Sequence, residues 1–246
     1  LRVQWHGMSR TGTLGRLFGH VPEPTLQMHP QDLARRLIAD GDLVHVTSRR
    51  GSILVPVQAS TEQAMGQVFL AMHWGQEYLG GQSSIGVPLT GVNALTISAS
   101  CPVSRQPELK HAAVKILKAE LPWSMLALAW LSQDQALTAQ QNLRALMPSF
   151  AFAICVPFAS PSTLQGNAGA RDGLLFRCAT AEAPSDAVLA QIEHILQLSG
   201  PDVLRYADAR KGQRRAMRLT RDGASTRLDA FLLAGDIRAQ AWIRTL

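Results

Sequence analysis

The chain has 246 residues, of which 46% are hydrophobic and 17% are charged, so it is long enough for one large globular domain or two ordinary ones. Its net charge of +6 is compatible with a phosphate-bearing ligand, but the basic residues are scattered and do not indicate a nucleic-acid partner. The three cysteines lack metal-ligand or redox spacing, and the longest apolar run, 121–131, is shorter than the roughly 20 residues that a bilayer requires. We therefore expect reduced thiols, no membrane partner, and a cytoplasmic location.

The first half of the chain, residues 1–119, alternates short predicted strands with turns, which is typical of a small β-barrel. Pro30 and Asp32 favour a helix start, and Asp40-Gly41-Asp42 ends the helix expected over 33–39. Arg49-Arg50-Gly51-Ser52 is a hairpin signal, and 76–92 is a long Gly- and Ser-rich loop. The expected strands are 2–5, 43–48, 53–57, 67–73 and 110–116.

The second half, residues 120–246, has the pattern of an α+β domain. Helices are expected over 121–132, 136–146, 184–198 and 235–246. Strands are expected over 150–157, 174–179, 203–206, 215–219 and 228–233, with a loop over 161–172.

One loop near the start has residue types that suit a phosphate. Gly7 and Gly12 allow a close approach of backbone amides, while Ser9, Arg10 and Thr11 add hydroxyl groups and a guanidinium. An ordinary connecting loop has the same composition, so the pattern alone leaves both interpretations open.

Three further positions are candidates for ligand contacts. Trp74, in His73-Trp74-Gly75, is either a core aromatic or a planar surface beside a heterocycle. Asn93 is either a turn residue or an amide that hydrogen-bonds a pterin or guanine edge. Lys110 is either a solvated side chain or a charge facing a pyrophosphate. No Ser–His–Asp set, paired carboxylates or P-loop stands out in the sequence.

Several ordered motifs together resemble the C-terminal cofactor domain of bacterial molybdopterin oxidoreductases, over residues 1 to about 117, and of the assimilatory nitrate reductase branch in particular. The motifs are Trp5-His6-Gly7-Met8-Ser9-Arg10-Thr11-Gly12, His29-Pro30-Gln31-Asp32, Asp40-Gly41-Asp42, Ser48-Arg49-Arg50-Gly51, His73-Trp74-Gly75, Gly91-Val92-Asn93-Ala94-Leu95-Thr96 and the segment 102–110. One departure is Cys101, which stands where the family often has Asp. The second half resembles the corresponding region of the same enzymes and, more loosely, the small C-terminal domain of flavin-dependent pyridine nucleotide oxidoreductases.

The resemblance implies a mixed β and α+β fold, a double-psi β-barrel over 1–119 followed by a smaller α+β domain over 120–246. It also implies a molybdenum bis(molybdopterin guanine dinucleotide) cofactor, with the family's contacts carried onto Trp5, His6, Gly7, Asn93 and Lys110. We extend the expected cofactor-binding set within the same segments and predict that its members converge on one rim of the barrel. The extension adds Met8, Ser9, Arg10, Thr11, His73 and Trp74. No metal ligand and no catalytic residue is expected in this chain.

The resulting expectation is a C-terminal piece of a nitrate reductase that reduces nitrate to nitrite in nitrate assimilation. The rest of that enzyme chain, an iron–sulfur cluster and the metal's protein ligand would lie outside these residues, an electron donor protein would be a partner, and the isolated chain would be inactive. Two alternatives remain open at this point: another molybdopterin oxidoreductase such as formate dehydrogenase, or a double-psi barrel adaptor module without a cofactor.

Overall fold

The computed structural model describes residues 21–72, 74–83, 85–106, 111–158, 171–223 and 225–240. These residues form mostly β-sheet, with thirteen strands and three α-helices in the part described. The expected mixture of strands with a few helices is therefore confirmed at this coarse level.

The first half contributes a five-stranded sheet with the order β4-β1-β3-β2-β7. Strand β1 runs parallel to β3, and the other pairings in this sheet are antiparallel. The strands of this half are β1 (Leu26–Met28), β2 (Leu43–Thr47), β3 (Ser52–Ala59), β4 (Val68–Leu70), β5 (Leu79–Gln82), β6 (Pro88–Leu89) and β7 (Lys115–Lys118), and its helix is α1 (Pro30–Arg35).

The second half supplies most of an eight-stranded antiparallel sheet with the order β11-β12-β13-β8-β10-β9-β5-β6. Its elements are β8 (Trp123–Ser132), α2 (Gln133–Leu146), β9 (Phe152–Phe158), β10 (Arg171–Thr180), α3 (Asp186–Ile195), β11 (Val203–Asp208), β12 (Gln213–Asp222) and β13 (Ser225–Ala234). Strands β5 and β6 of the first half extend this sheet, because Leu79 pairs with Ile154 of β9. One sheet thus includes strands from both sides of residue 119, and the two-domain division stays a prediction.

The central strands of the large sheet are buried on both faces. Because side chains alternate between faces along a strand, Leu126, Ile154 and Phe231 pack against the first half in one core. Their strand neighbours, such as Met125 and Cys155, belong to a second core that also contains residues of α2 and α3. The large sheet therefore lies between the smaller sheet and the two helices.

Strand β8 corrects the helix that the sequence predicted over 121–132. Trp123, Met125 and Leu131 point to the core under the helices, while Leu126 points to the opposite core. A central strand covered on both faces has apolar residues at nearly every position, so no alternation with polar residues marks it as a strand. The Ser132 capping box shows where the helical segment starts, at Gln133.

Helix α1 begins at Pro30, before the predicted start at residue 33, and ends earlier than residue 39. Pro30 occupies the first turn, and the His29 side chain accepts a hydrogen bond from the Gln31 amide. Leu37 adopts a left-handed conformation with φ of 54°, and the Ile38 amide donates back to the Leu33 carbonyl at 3.1 Å. This closing turn ends the helix at Arg35.

Four smaller differences concern element bounds in the described residues. The strand expected over 67–73 is limited to Val68–Leu70, and the loop expected over 76–92 contains the β5–β6 hairpin. The strand expected over 110–116 begins only at Lys115, and residues 235–239 are not helical. Positions 2–5, 73, 110 and 241–246 lie outside the described residues.

Candidate functional site

Two of the motifs that carry the resemblance meet in the first half of the chain. The Val92 amide donates a hydrogen bond to the Trp74 carbonyl at 2.9 Å. A methyl group at Gly91 would lie 2.3 Å from that carbonyl oxygen and 2.6 Å from the Gly75 Cα. Only glycine fits at position 91, because any side chain would overlap the backbone of Trp74 and Gly75.

Asn93 lies on a 3-10 turn, Val92–Leu95, which begins directly after Gly91. The Asn93 carbonyl accepts hydrogen bonds from the Thr96 amide at 3.2 Å and from the Thr96 hydroxyl at 3.1 Å. Its side chain is exposed, and among the described residues none hydrogen-bonds its amide group. The backbone of this turn is therefore fixed, while the Asn93 amide can offer donors and an acceptor to a ligand.

A third motif packs against the same turn. A methyl group at Gly51 would lie 2.8 Å from the Ala94 carbonyl oxygen. Gly51 belongs to the hairpin turn between β2 and β3, where the Ser48 hydroxyl accepts from the Arg50 amide at 3.0 Å. Arg49 and Arg50 are exposed on this turn, and within the described ranges neither guanidinium has an ion-pair partner. Two unneutralised positive charges thus lie on the turn that contacts Ala94.

Trp74 contributes packing and a backbone acceptor to this region. Its indole ring is only 1% exposed and contacts the Tyr78 ring edge-on, with ring centroids 6.0 Å apart. Burial raises the pKa of Tyr78 to about 12, and the Glu77 carboxylate adds to the rise. The Tyr78 phenol therefore stays neutral at ordinary pH.

The predicted site residues fall into two groups. Trp74 and Asn93 are described, and the structure brings their segments into direct contact. The others lie outside the described residues, so their place on the barrel rim stays a prediction: Trp5, His6, Gly7, Met8, Ser9, Arg10, Thr11, His73 and Lys110. The contact between Gly51 and the Asn93 turn was not anticipated, although Ser48-Arg49-Arg50-Gly51 was among the motifs of the resemblance.

The described residues contain no group of three His, Cys, Asp or Glu side chains placed to hold a metal ion. Likewise, none of the helices in the described ranges is long and apolar enough to cross a membrane. What this region does offer is an available amide at Asn93 and the positive charges of Arg49 and Arg50. These groups fit a ligand that combines a heterocycle with phosphates.

Comparison with known proteins agrees with the motifs. Residues 1–113 match the family described as "Molydopterin dinucleotide binding domain". The chain is 34% identical over 116 residues to a nitrate reductase of Klebsiella oxytoca, a match that covers 47% of this chain and 12% of that protein. It is 41% identical over 112 residues to a nitrate reductase of Synechocystis sp., which covers 46% of this chain and 15% of that protein. The matches thus span only 12% and 15% of these relatives. The resemblance inferred from the motifs is confirmed over residues 1–113, which match the model of this family.

Proposed function

We propose that this chain carries the cofactor-binding domain of an assimilatory nitrate reductase and helps to bind molybdenum bis(molybdopterin guanine dinucleotide). The observation that carries the proposal is the contact between the Trp74-Gly75 and Gly91-Val92-Asn93 segments, which leaves the Asn93 amide exposed beside a basic turn. The two nitrate reductase relatives favour nitrate over other substrates of molybdopterin oxidoreductases. A double-psi barrel adaptor without a cofactor would need neither the exposed Asn93 amide nor the basic turn beside it.

In this proposal Asn93 hydrogen-bonds a pterin or guanine edge, and Lys110 with the 5–11 loop binds phosphate. Gly91 and Gly51 hold the Asn93 turn in place, because neither position has room for a side chain. The bound cofactor supplies the oxygen-atom transfer from nitrate that yields nitrite. The residues of this chain bind and orient it.

The remaining parts of the proposal concern the whole enzyme. Residues 1–119 would form a double-psi β-barrel and 120–246 a smaller α+β domain. The metal's protein ligand and an iron–sulfur cluster would come from other parts of the enzyme, an electron donor protein would be its partner, and its location would be cytoplasmic.

The test is Asn93→Ala in a complete nitrate reductase that contains this domain. Molybdenum and guanine nucleotide per protein are measured after purification. One lost hydrogen bond of about 0.5–1.5 kcal/mol predicts a roughly twofold to tenfold weaker retention of the cofactor. Asn142→Ala is the matched control, because Asn142 is an exposed asparagine on α2. Equal cofactor content in both variants and the wild type would contradict the assignment of Asn93.

A further inference from the structure

A cleft of about 410 Å³ separates the β5–β6 hairpin of the first half from the end of α2 in the second half. Gln76 and Thr90 line its first wall, while Gln141 and Arg144 line the opposite one. Gln76 directly follows Gly75, and Thr90 directly precedes Gly91. Two lining residues are therefore sequence neighbours of the glycines whose backbones meet beside Asn93.

Arg144 provides the single charge among the residues that line the cleft. Its side chain is exposed, and no carboxylate in the described part of the chain forms an ion pair with it. A guanidinium with no acidic partner, in a concave site without carboxylates, attracts an anion. Its planar arrangement of N–H donors matches phosphate oxygens in particular.

The other lining residues suit a flat, partly apolar group. Pro88, Leu89, Met147 and Pro148 give the cleft apolar surface, and the amides of Gln76 and Gln141 offer donors and acceptors. A volume of this size lies in the range of small-molecule sites, which combine apolar walls with a few polar groups. This set of groups fits a heterocyclic base joined to a phosphate.

The two walls are held at a fixed separation by backbone contacts. The Gln82 amide donates to the Phe150 carbonyl at 2.8 Å, just beyond the cleft. A methyl group at Gly80 would lie 3.1 Å from the Met147 Cε. The β5–β6 hairpin is therefore in close contact with the 3-10 turn Met147–Ser149, which follows α2. The cleft is therefore part of the folded chain and needs no large rearrangement to accept a ligand.

We propose that this cleft binds a phosphate-bearing nucleotide, with Arg144 at the phosphate and Gln76 and Gln141 at the base. The inference rests on the proposed function, since the nucleotide end of the dinucleotide cofactor is one source of this chemistry. A free cellular nucleotide is the other source. In either case the second half of the chain, which lies beyond the matched family segment, contributes directly to ligand binding.

The test measures GMP and guanosine binding to the 246-residue chain by calorimetry. Arg144→Gln is expected to weaken GMP binding about tenfold or more, since it removes a charge-assisted hydrogen bond, and to leave guanosine binding unchanged. Ala145→Phe is expected to block both ligands by filling the cleft. Arg210→Gln, which removes another exposed charge, on the β11–β12 turn, is the control and should bind GMP like the wild type.

No GMP binding by the wild-type chain, or equal GMP binding by the wild type and the Arg144→Gln and Ala145→Phe variants, would overturn the inference. Guanine nucleotide content in a complete enzyme distinguishes the two sources: Arg144→Gln lowers it only where the cofactor occupies the cleft. The Asn93→Ala experiment is independent of these results. Unchanged cofactor content there, together with weaker GMP binding by Arg144→Gln, would contradict the assignment of Asn93 and keep the nucleotide cleft.

Discussion

Glu23 and Arg177 form a buried ion pair, with the Arg177 Nη1 at 3.0 Å from the Glu23 Oε2. Their side chains are 7% and 12% exposed, respectively. Arg177 lies on β10 between Ile154 and Leu126, whose side chains face the first half of the chain. Glu23 precedes β1, so the pair connects the segment before the small sheet to the large sheet.

We expect Arg177→Ala to lower the free energy of unfolding by about 3–5 kcal/mol. The physical reason is that the substitution removes the Arg177 guanidinium from a buried carboxylate, which costs more than the pair itself contributes. Urea denaturation followed by tryptophan fluorescence measures the change. Arg210→Ala is the control, and the loss of this exposed arginine should change stability by about 0.5 kcal/mol or less.

The double variant Glu23→Met, Arg177→Met separates the two contributions. Apolar side chains of similar volume remove both buried charges at once, so most of the stability lost in Arg177→Ala should return. A double variant as unstable as Arg177→Ala would show that the ion pair itself stabilises the contact between the halves.

Gly91→Ala is expected to destabilise the chain by about 1–3 kcal/mol, the usual cost of forcing extra atoms into a packed site. The new methyl group would lie 2.3 Å from the Trp74 carbonyl oxygen, and the turn that carries Asn93 would have to move. The backbone at Gly91 has φ of −61°, which alanine adopts freely, so the effect isolates the steric contact. Denaturant unfolding measures it.

Gly200→Ala is the matched control for Gly91→Ala. A methyl group at Gly200 has no atom within 4 Å, and its φ is outside the left-handed region. Its stability should stay equal or rise by up to about 1 kcal/mol, because alanine restricts the unfolded chain. Similar losses in both variants would mean that the close approach at Gly91 has no special role.

Strand β8 shows where local sequence pattern fails as a guide to this fold. The run from Trp123 to Leu131 is apolar throughout, and a helix and a doubly covered strand share that property. Whether such a run forms a helix or a strand depends on what packs against it. The first half of the chain packs on one face of β8, and α2 and α3 pack on the other. By contrast, α2 and α3 were predictable, because each has a serine at the residue before its first turn.

The candidate site, like the fold, was predictable from the sequence only in part. The sequence left Asn93 as either a turn residue or an amide that binds a ligand, and the structure places it on a turn. The contacts of Gly51 with Ala94 and of Gly91 with Trp74 join segments that lie 43 and 17 residues apart in the sequence. Arg144 belongs to the other half, and no local motif marks it. Tertiary structure alone brings such residues together.

Only one of the three cysteines should react with a thiol reagent in the folded chain. Cys155 and Cys178 are fully buried, and burial raises the pKa of Cys155 to about 12 and that of Cys178 well above its usual range. Cys101 is partly exposed, and hydrogen bonds from Ser104 and then from the Val103 amide lower the pKa of its thiol. We expect one labelled thiol per native chain and three after unfolding.

Ser104→Ala tests the cause of the Cys101 reactivity. Loss of the Ser104 hydroxyl should raise the pKa of the Cys101 thiol and slow its alkylation near neutral pH, because the thiolate is the reacting form. Mass spectrometry of iodoacetamide-treated protein measures the rate. Labelling of Cys155 or Cys178 in the native state, or no effect of Ser104→Ala, would contradict this prediction.

Asp229 is a buried carboxylate surrounded by donors at an irregularity between β12 and β13. Arg171 Nη1 and Arg227 Nε donate to its Oδ1 at 2.6 Å and 2.9 Å, and the Thr220 hydroxyl donates to its Oδ2. The register shifts between Arg218 and Leu219, which pair with Ala230 and Leu228, so that the pairing skips Asp229. Burial raises the pKa of Asp229, but the hydrogen bonds and the charge of Arg171 outweigh it and hold the pKa at about 2.

This lowered pKa makes Asp229 a source of acid sensitivity. A carboxyl whose pKa is lower in the folded than in the unfolded chain stabilises the fold above its unfolded value of 3.8, and this contribution is lost as the pH falls toward 2. At 1.36 kcal/mol per pKa unit, the pH-dependent part is on the order of 2 kcal/mol. The stability difference between the wild type and Asp229→Asn should therefore be constant above about pH 5 and shrink by that amount toward pH 2. Urea unfolding at a series of pH values measures it. A difference between the wild type and Asp229→Asn that stayed constant from pH 5 to pH 2 would mean that Asp229 has the same pKa in the folded and unfolded chain.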